Sequence, residues 1–142
     1  MKTIFKFFGL FVLLASSFFL TECKKDSSED PVVKFLGSYN YNMTVTGMTN
    51  PGSASGTFTV GSTIANKIFI LSDGSLTDYT VNGNTITEDA GQTTDLPISG
   101  GGTASFVENS TGTLTGSVLT INGTWSKTGY NTISFAIVAT KK

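Results

Sequence analysis

The 142-residue chain has no histidine, no arginine, one cysteine and 3 prolines. Without histidine there is no Ser-His-Asp or Cys-His nucleophile pair, no imidazole ligand for zinc or haem, and no side chain whose ordinary pKa lies near neutrality. A lone cysteine excludes an internal disulfide, a CxxC redox pair and a thiolate zinc cluster. The positive charges are all lysines, 9 against 10 acids, and the net charge of -1 offers no footprint for nucleic acid. The expectation is a protein that is not an enzyme and needs no cofactor or metal.

What is present begins with an export pattern. Lys2 and Lys6 form a basic start, and Phe7 to Leu20 is an uncharged, mostly apolar run of 14 residues. That is shorter than the ~20 apolar residues a membrane-crossing helix needs, and it fits the apolar core of a signal segment. The run ends in Leu20-Thr21-Glu22-Cys23, followed by Lys24-Lys25-Asp26 and the polar stretch Ser27-Ser28-Glu29-Asp30-Pro31.

These residues resemble the signal of bacterial lipoproteins, and the Cys-Lys-Lys-Asp continuation is similar to small surface lipoproteins of Bacteroidetes-type bacteria. Leu20 and Thr21 match the lipobox, while Glu22 stands where that family has Gly, Ala or Ser. The resemblance implies cleavage before Cys23 and lipidation of its thiol. Two or more acyl chains then anchor the protein stably where one alone is marginal. It divides the chain into a signal peptide (1–22), a lipidated Cys23 with a polar tether (23–32), and one folded domain (33–142). The expected location is the outer membrane, with display at the cell surface through the acidic tether. The alternative is ordinary secretion after cleavage near Ala15-Ser16-Ser17.

Beyond Pro31 the chain turns to Thr, Gly, Ser and Asn interleaved with single large apolar residues, a composition suited to half-buried strands and tight turns. Tyr39, Tyr41, Met43 and Val45 alternate with polar residues and predict a first strand. Further strands are expected through Gly56–Val60, Lys67–Leu71 and Tyr79–Val81, the last turning through Asn82-Gly83, a preferred type I′ hairpin pair, into Thr85–Thr87. Leu96-Pro97-Ile98 reads as an edge strand, because proline cannot donate to a central ladder. Gly100-Gly101-Gly102 breaks the chain before Thr103–Val107, and two long strands follow, about Ser117–Ser126 and Asn131–Thr140. Val81 to Thr87 and Leu114 to Thr120 share an apolar-x-Gly-x-x-apolar-Thr pattern, which reads as a repeated tight hairpin. The fold class is therefore all-β: an antiparallel meander of about eight strands closing into a small barrel or strongly curled sheet, with a β-sandwich as the alternative.

Leu36-Gly37-Ser38-Tyr39 ahead of consecutive hairpins is similar to lipocalin-like lipoproteins, in which a Gly-x-Trp motif opens the first barrel strand. Tyr39 stands in place of that tryptophan, and the arginine that packs on it has no counterpart here. The resemblance implies a barrel and does not carry a function.

The acids of the folded part, Asp73, Asp78, Glu88, Asp89, Asp95 and Glu108, read as turn or rim residues. Glycosidase chemistry needs two carboxyls in one cleft, and a calcium site at Glu88, Asp89 and Asp95 lacks EF-hand spacing. Tyr39, Tyr41, Tyr79 and Trp125 are the candidate ligand-facing aromatics, since each joins an apolar body to a polar handle. In a narrow barrel the same rings serve as core; if a ligand binds, Trp125 is the residue expected to meet it. The functional expectation is a monomeric, lipid-anchored envelope module, binding or structural, whose ligand would be small and hydrophobic or a glycan. The alternative is a secreted or surface β-sandwich that binds carbohydrate through exposed aromatics.

Overall fold

The computed structural model describes residues 30–48 and 51–142. The signal (1–22) and Cys23 lie outside the described residues, as does most of the tether. A short 3-10 turn, Val33–Phe35, leads into nine strands: β1 (Gly37–Thr46), β2 (Gly52–Ile64), β3 (Lys67–Ser72), β4 (Ser75–Asn82), β5 (Thr85–Glu88), β6 (Thr93–Pro97), β7 (Thr103–Thr115), β8 (Val118–Ser126) and β9 (Ile133–Lys141). Among the described residues no helix is long and apolar enough to cross a membrane.

The strands form an antiparallel meander in the order β5-β4-β3-β2-β1-β9-β8-β7-β6. An additional pairing of β5 with β7 joins the two ends. Eight strands thus close a barrel, with β6 as an extra strand on the edge of β7. One closed sheet leaves no second layer, so the sandwich alternative does not hold. Closure also removes most of the exposed edges that an open sheet would have to protect.

Alternation builds the interior. Tyr39 and Val45 of β1, Phe58 and Val60 of β2, Ile68 and Ile70 of β3, Tyr79 and Val81 of β4, and their counterparts from β5 to β9 form one continuous core. On β3 the apolar run splits by face: Ile68 and Ile70 point in, while Phe69 lies outside across from Gly61. A Cβ on Gly61 would lie 2.2 Å from the Phe69 ring, so the ring covers the bare backbone.

The tight turns differ in detail from the sequence expectation. The β4–β5 loop is Gly83-Asn84, not Asn82-Gly83, because Asn82 pairs with Thr85. Of its two residues only Gly83 has a positive φ (56°), the sign pattern of a type II′ turn. Gly116-Ser117 repeats the arrangement between β7 and β8, with Gly116 at φ 60°.

β5 and β6 are two pieces of one broken strand. Both pair with the same edge of β7, yet from Thr87 to Thr93 the chain advances six residues while β7 advances four, from Val107 to Thr111. The two surplus residues are taken up in a bulge at Asp89–Gly91. Beyond it β6 pairs only with β7, and Ser75–Asp78 of β4 pair only with β3. The wall is therefore open between these two segments. Gln92 marks the edge of the gap: its side-chain amide donates to the Asp78 carbonyl (2.8 Å) and accepts from the Asp78 N–H (3.2 Å).

Candidate functional site

The barrel has one plugged end. Val32 and Phe35 are buried there at 3% and 0% exposure. The Tyr39 hydroxyl donates to the Phe35 carbonyl (2.8 Å), which satisfies the one polar atom of a fully buried ring. Lys34 bonds to Asn84 in the β4–β5 turn, and Lys141 donates to the Lys34 carbonyl (3.2 Å), so the plug is tied to the rim. Tyr39 stacks on Phe58 (5.3 Å between centroids) and belongs to this packed end; it does not line the cavity described next.

Toward the other end the interior holds a cavity of about 250 Å³. Tyr41, Met43, Phe58, Tyr79, Trp125 and Phe135 supply its larger walls, and Ile70, Ile121 and Ile137 the aliphatic ones. Ser75 and Thr77 of β4 and Thr94 of β6 also line it, so it reaches both lips of the gap in the wall. The volume is below the ~300 Å³ typical of drug-sized pockets. It exceeds the ~150 Å³ that accommodates a benzene ring. A single ring with a short substituent is the scale of molecule that fits.

The walls are preorganised by stacking. Trp125 lies on Phe135 at 4.4 Å between centroids, and Tyr41 on Phe58 at 5.7 Å. Two glycines make room for the interior side chains. A Cβ on Gly123 would lie 2.3 Å from the tip of Phe135, and one on Gly56 would lie 3.0 Å from Tyr41.

Two acids assigned to rims by the sequence instead occupy inward positions. On β7, Glu108 continues the inward series Phe106, Glu108, Ser110. Its Oε2 accepts from the Thr94 hydroxyl (2.6 Å) and from the Trp125 indole N–H (3.0 Å), and the residue lines the cavity. On β5, Glu88 is 9% exposed; its Oε2 accepts from Ser110 (2.6 Å), and Ser110 is hydrogen-bonded to the Tyr79 hydroxyl (2.9 Å). The other oxygen, Oε1, is buried with no partner. Burial pushes the Glu88 carboxyl up to about 7; the Ser110 bond opposes this and the nearby Glu108 charge adds to it. Burial likewise raises the Tyr79 phenol.

The remaining acids stay outside. Asp89 is bonded to Lys67 and to Thr80 (2.7 Å), and Asp95 accepts from Ser105. Asp73 stands in the β3–β4 turn with a positive φ. Among the described residues no three of His, Cys, Asp and Glu come together as a metal site. A broader depression of about 670 Å³ lies against β1, β5, β7, β8 and β9, lined mainly by Thr, Ser and Asn, with Phe135 its one aromatic.

Of the four aromatics proposed from sequence, the structure brings Tyr41, Tyr79 and Trp125 together at the cavity and leaves Tyr39 in the plugged end. Tyr130 is 44% exposed and packs edge-on against Phe106. The sequence reading missed Glu108, Phe58 and Phe135. For Glu108 a signal existed: Phe106 and Leu114 are eight residues apart on one strand, which puts Glu108 on their face. In comparison with known proteins, no family model and no curated protein matches the chain.

Proposed function

We propose that this chain is an exported lipoprotein, anchored in the outer membrane through Cys23, whose barrel is a non-enzymatic module that binds a small, largely apolar ligand. The observation that supports this most directly is the aromatic-lined cavity reaching a gap in the barrel wall beside Trp125. A barrel with a purely structural role would fill its interior with its own side chains, as the plugged end does. The basic, apolar and Cys23 order of the first 23 residues supports the anchor. The resulting picture is a domain tethered by its N-terminal segment, with the cavity opening between β4 and β6.

Two measurements test the two halves of the proposal. Metabolic labelling with a palmitate analogue should mark the wild-type protein and not Cys23→Ser; equal labelling of both would remove the anchor. Trp125 is the one tryptophan of the chain, so its emission reports on the cavity without competition. Titration with benzyl alcohol, a single ring with a short substituent, should shift or quench that emission saturably. An emission that does not respond up to millimolar probe would remove the binding reading.

A further inference from the structure

The interior carries acid without base. Glu88 and Glu108 both point into the barrel, whereas the described lysines all lie outside it. Lys34 and Lys141 tie down the plug, and Lys67 pairs with Asp89 on the outer surface. Lys127 donates to the Ser105 carbonyl from an exposed position, and Lys142 ends the chain beyond β9. The chain has neither arginine nor histidine. A charge in a low-dielectric interior normally meets an opposite charge, and among the described residues none stands against Glu108. Its Oε2 is engaged by two donors, Thr94 and Trp125, that fix the carboxylate at the cavity wall without neutralising it.

The same cavity is ringed by Tyr41, Phe58, Tyr79, Trp125 and Phe135. Aromatic rings attract cations through the negative potential of their faces, most strongly for tryptophan and most effectively where water is excluded. A carboxylate beside several aromatic rings, in a space of about 250 Å³, is a chemistry suited to an ammonium group on a small organic skeleton. Rim hydroxyls from Ser72, Ser75 and Thr77 add hydrogen-bond acceptors and no positive charge.

Resting on the binding reading above, we propose that the cavity selects a small organic cation, an amine or quaternary ammonium of about one ring in size, with Glu108 as its counter-ion. Thr94 and Trp125 act as positioning residues, holding the carboxylate toward the ligand. Anions of the same size are disfavoured, since they would meet Glu108 with no base among the described residues to offset it.

The test compares benzylamine, benzyltrimethylammonium and benzyl alcohol by titration of Trp125 emission in the purified full chain, held in a non-ionic detergent. The cations should bind at least ten-fold more tightly than the alcohol. Glu108→Gln should abolish that preference while keeping affinity for the alcohol, because glutamine still accepts from Trp125. Ser75→Lys, which puts a positive charge on the exposed rim of the cavity, should weaken the cations more than the alcohol and so serves as a second variant should Glu108→Gln misfold. Benzyl alcohol binding as tightly as the amines would overturn the cation proposal and leave the cavity reading intact. Failure of all three probes would overturn both.

Discussion

Replacing Glu88 with glutamine is expected to stabilise the barrel in mildly alkaline solution and to leave it unchanged in acid. Burial raises the Glu88 carboxyl from 4.5 to about 7, against the hydrogen bond from Ser110 and with the help of the Glu108 charge. Between those two values the folded protein holds a proton that the unfolded chain has released. Stability from this group is therefore full below about 4.5, declines as the pH rises, and has levelled off a little above 7. At 1.36 kcal/mol per pH unit, a displacement of that size corresponds to ~3 kcal/mol. Glu88 also lines the broad open depression, where solvent screens the charge, so about 1–2 kcal/mol is the working figure. Glutamine offers its carbonyl to the Ser110 hydroxyl and an NH2 where the protonated acid carries its OH, so it copies the acid form.

The assay is thermal or denaturant unfolding of wild type and Glu88→Gln in parallel from about pH 4 to pH 8. The two should coincide in acid and diverge above it. In alkali the variant gains about 1–2 kcal/mol, roughly 3–10 °C in Tm for a domain of this size. Asp89 titrates with the opposite sign, since hydrogen bonds from Lys67 and Thr80 hold its carboxyl below the usual range. Its contribution is lost as the pH falls, but it is common to both proteins and cancels in the difference. A variant that unfolds more easily than wild type in alkali, or a difference between the two proteins that does not change with pH, would refute the reasoning.

Two glycine substitutions separate crowding inside the barrel from crowding outside it. Gly123→Ala drives a methyl into Phe135, which is 5% exposed and stacked on Trp125; chemical denaturation should show a loss of about 1–3 kcal/mol, with an altered tryptophan emission. Gly61→Ala meets an outer ring, Phe69, that can swing toward solvent, so its cost should stay below about 1 kcal/mol; equal losses at the two sites would contradict the assignment of faces. Phe35→Ala empties the fully buried plug and should cost about 3–5 kcal/mol. Amide exchange should then accelerate first around the Gly83-Asn84 and Gly116-Ser117 turns, and uniform acceleration would mean that the plug does not act locally.

Much of the meander was legible because its signals are local. Tyr39, Tyr41, Met43 and Val45 alternate without interruption, Pro97 sits on an edge strand as a residue without an N–H must, and the triple glycine ends β6 before β7 begins. The long strand β7 was not legible beyond Val107. Its next inward residues, Glu108 and Ser110, are polar, and polar residues at inward positions erase the period-2 pattern from which a strand is read. They face inward because their partners lie on other strands: Trp125 on β8, Thr94 on β6, Tyr79 on β4. Closure was hidden for a related reason. The β5–β7 pairing depends on two surplus residues around Asp89–Gly91, a register detail that no local propensity encodes. The site was half legible, since Trp125 announces itself in a chain with one tryptophan while Glu108 looked like any other surface acid.

The break in the wall and the polar residues of the interior fall in one half of the molecule. The plugged end keeps aliphatic and aromatic residues inside, satisfies its tyrosine hydroxyl and places glycine in the Gly83-Asn84 and Gly116-Ser117 turns; its irregularities, a register shift between Gly61 and Ile64 and a positive φ at Asn66, are confined to the backbone of the β2–β3 hairpin. The other half holds the bulge, the detached β6, the gap beside Ser75–Asp78, the buried carboxyl with an orphan oxygen, and the second acid bonded to Trp125. Each of these costs stability, and an apolar residue at position 88 or 108 would avoid part of the cost. Sequences generally violate local folding rules where something other than stability is being selected. The coincidence of the violations with the aromatic-lined cavity is therefore an argument independent of its volume. It supports the open half as the working part of the barrel and the plugged half as the scaffold that holds it.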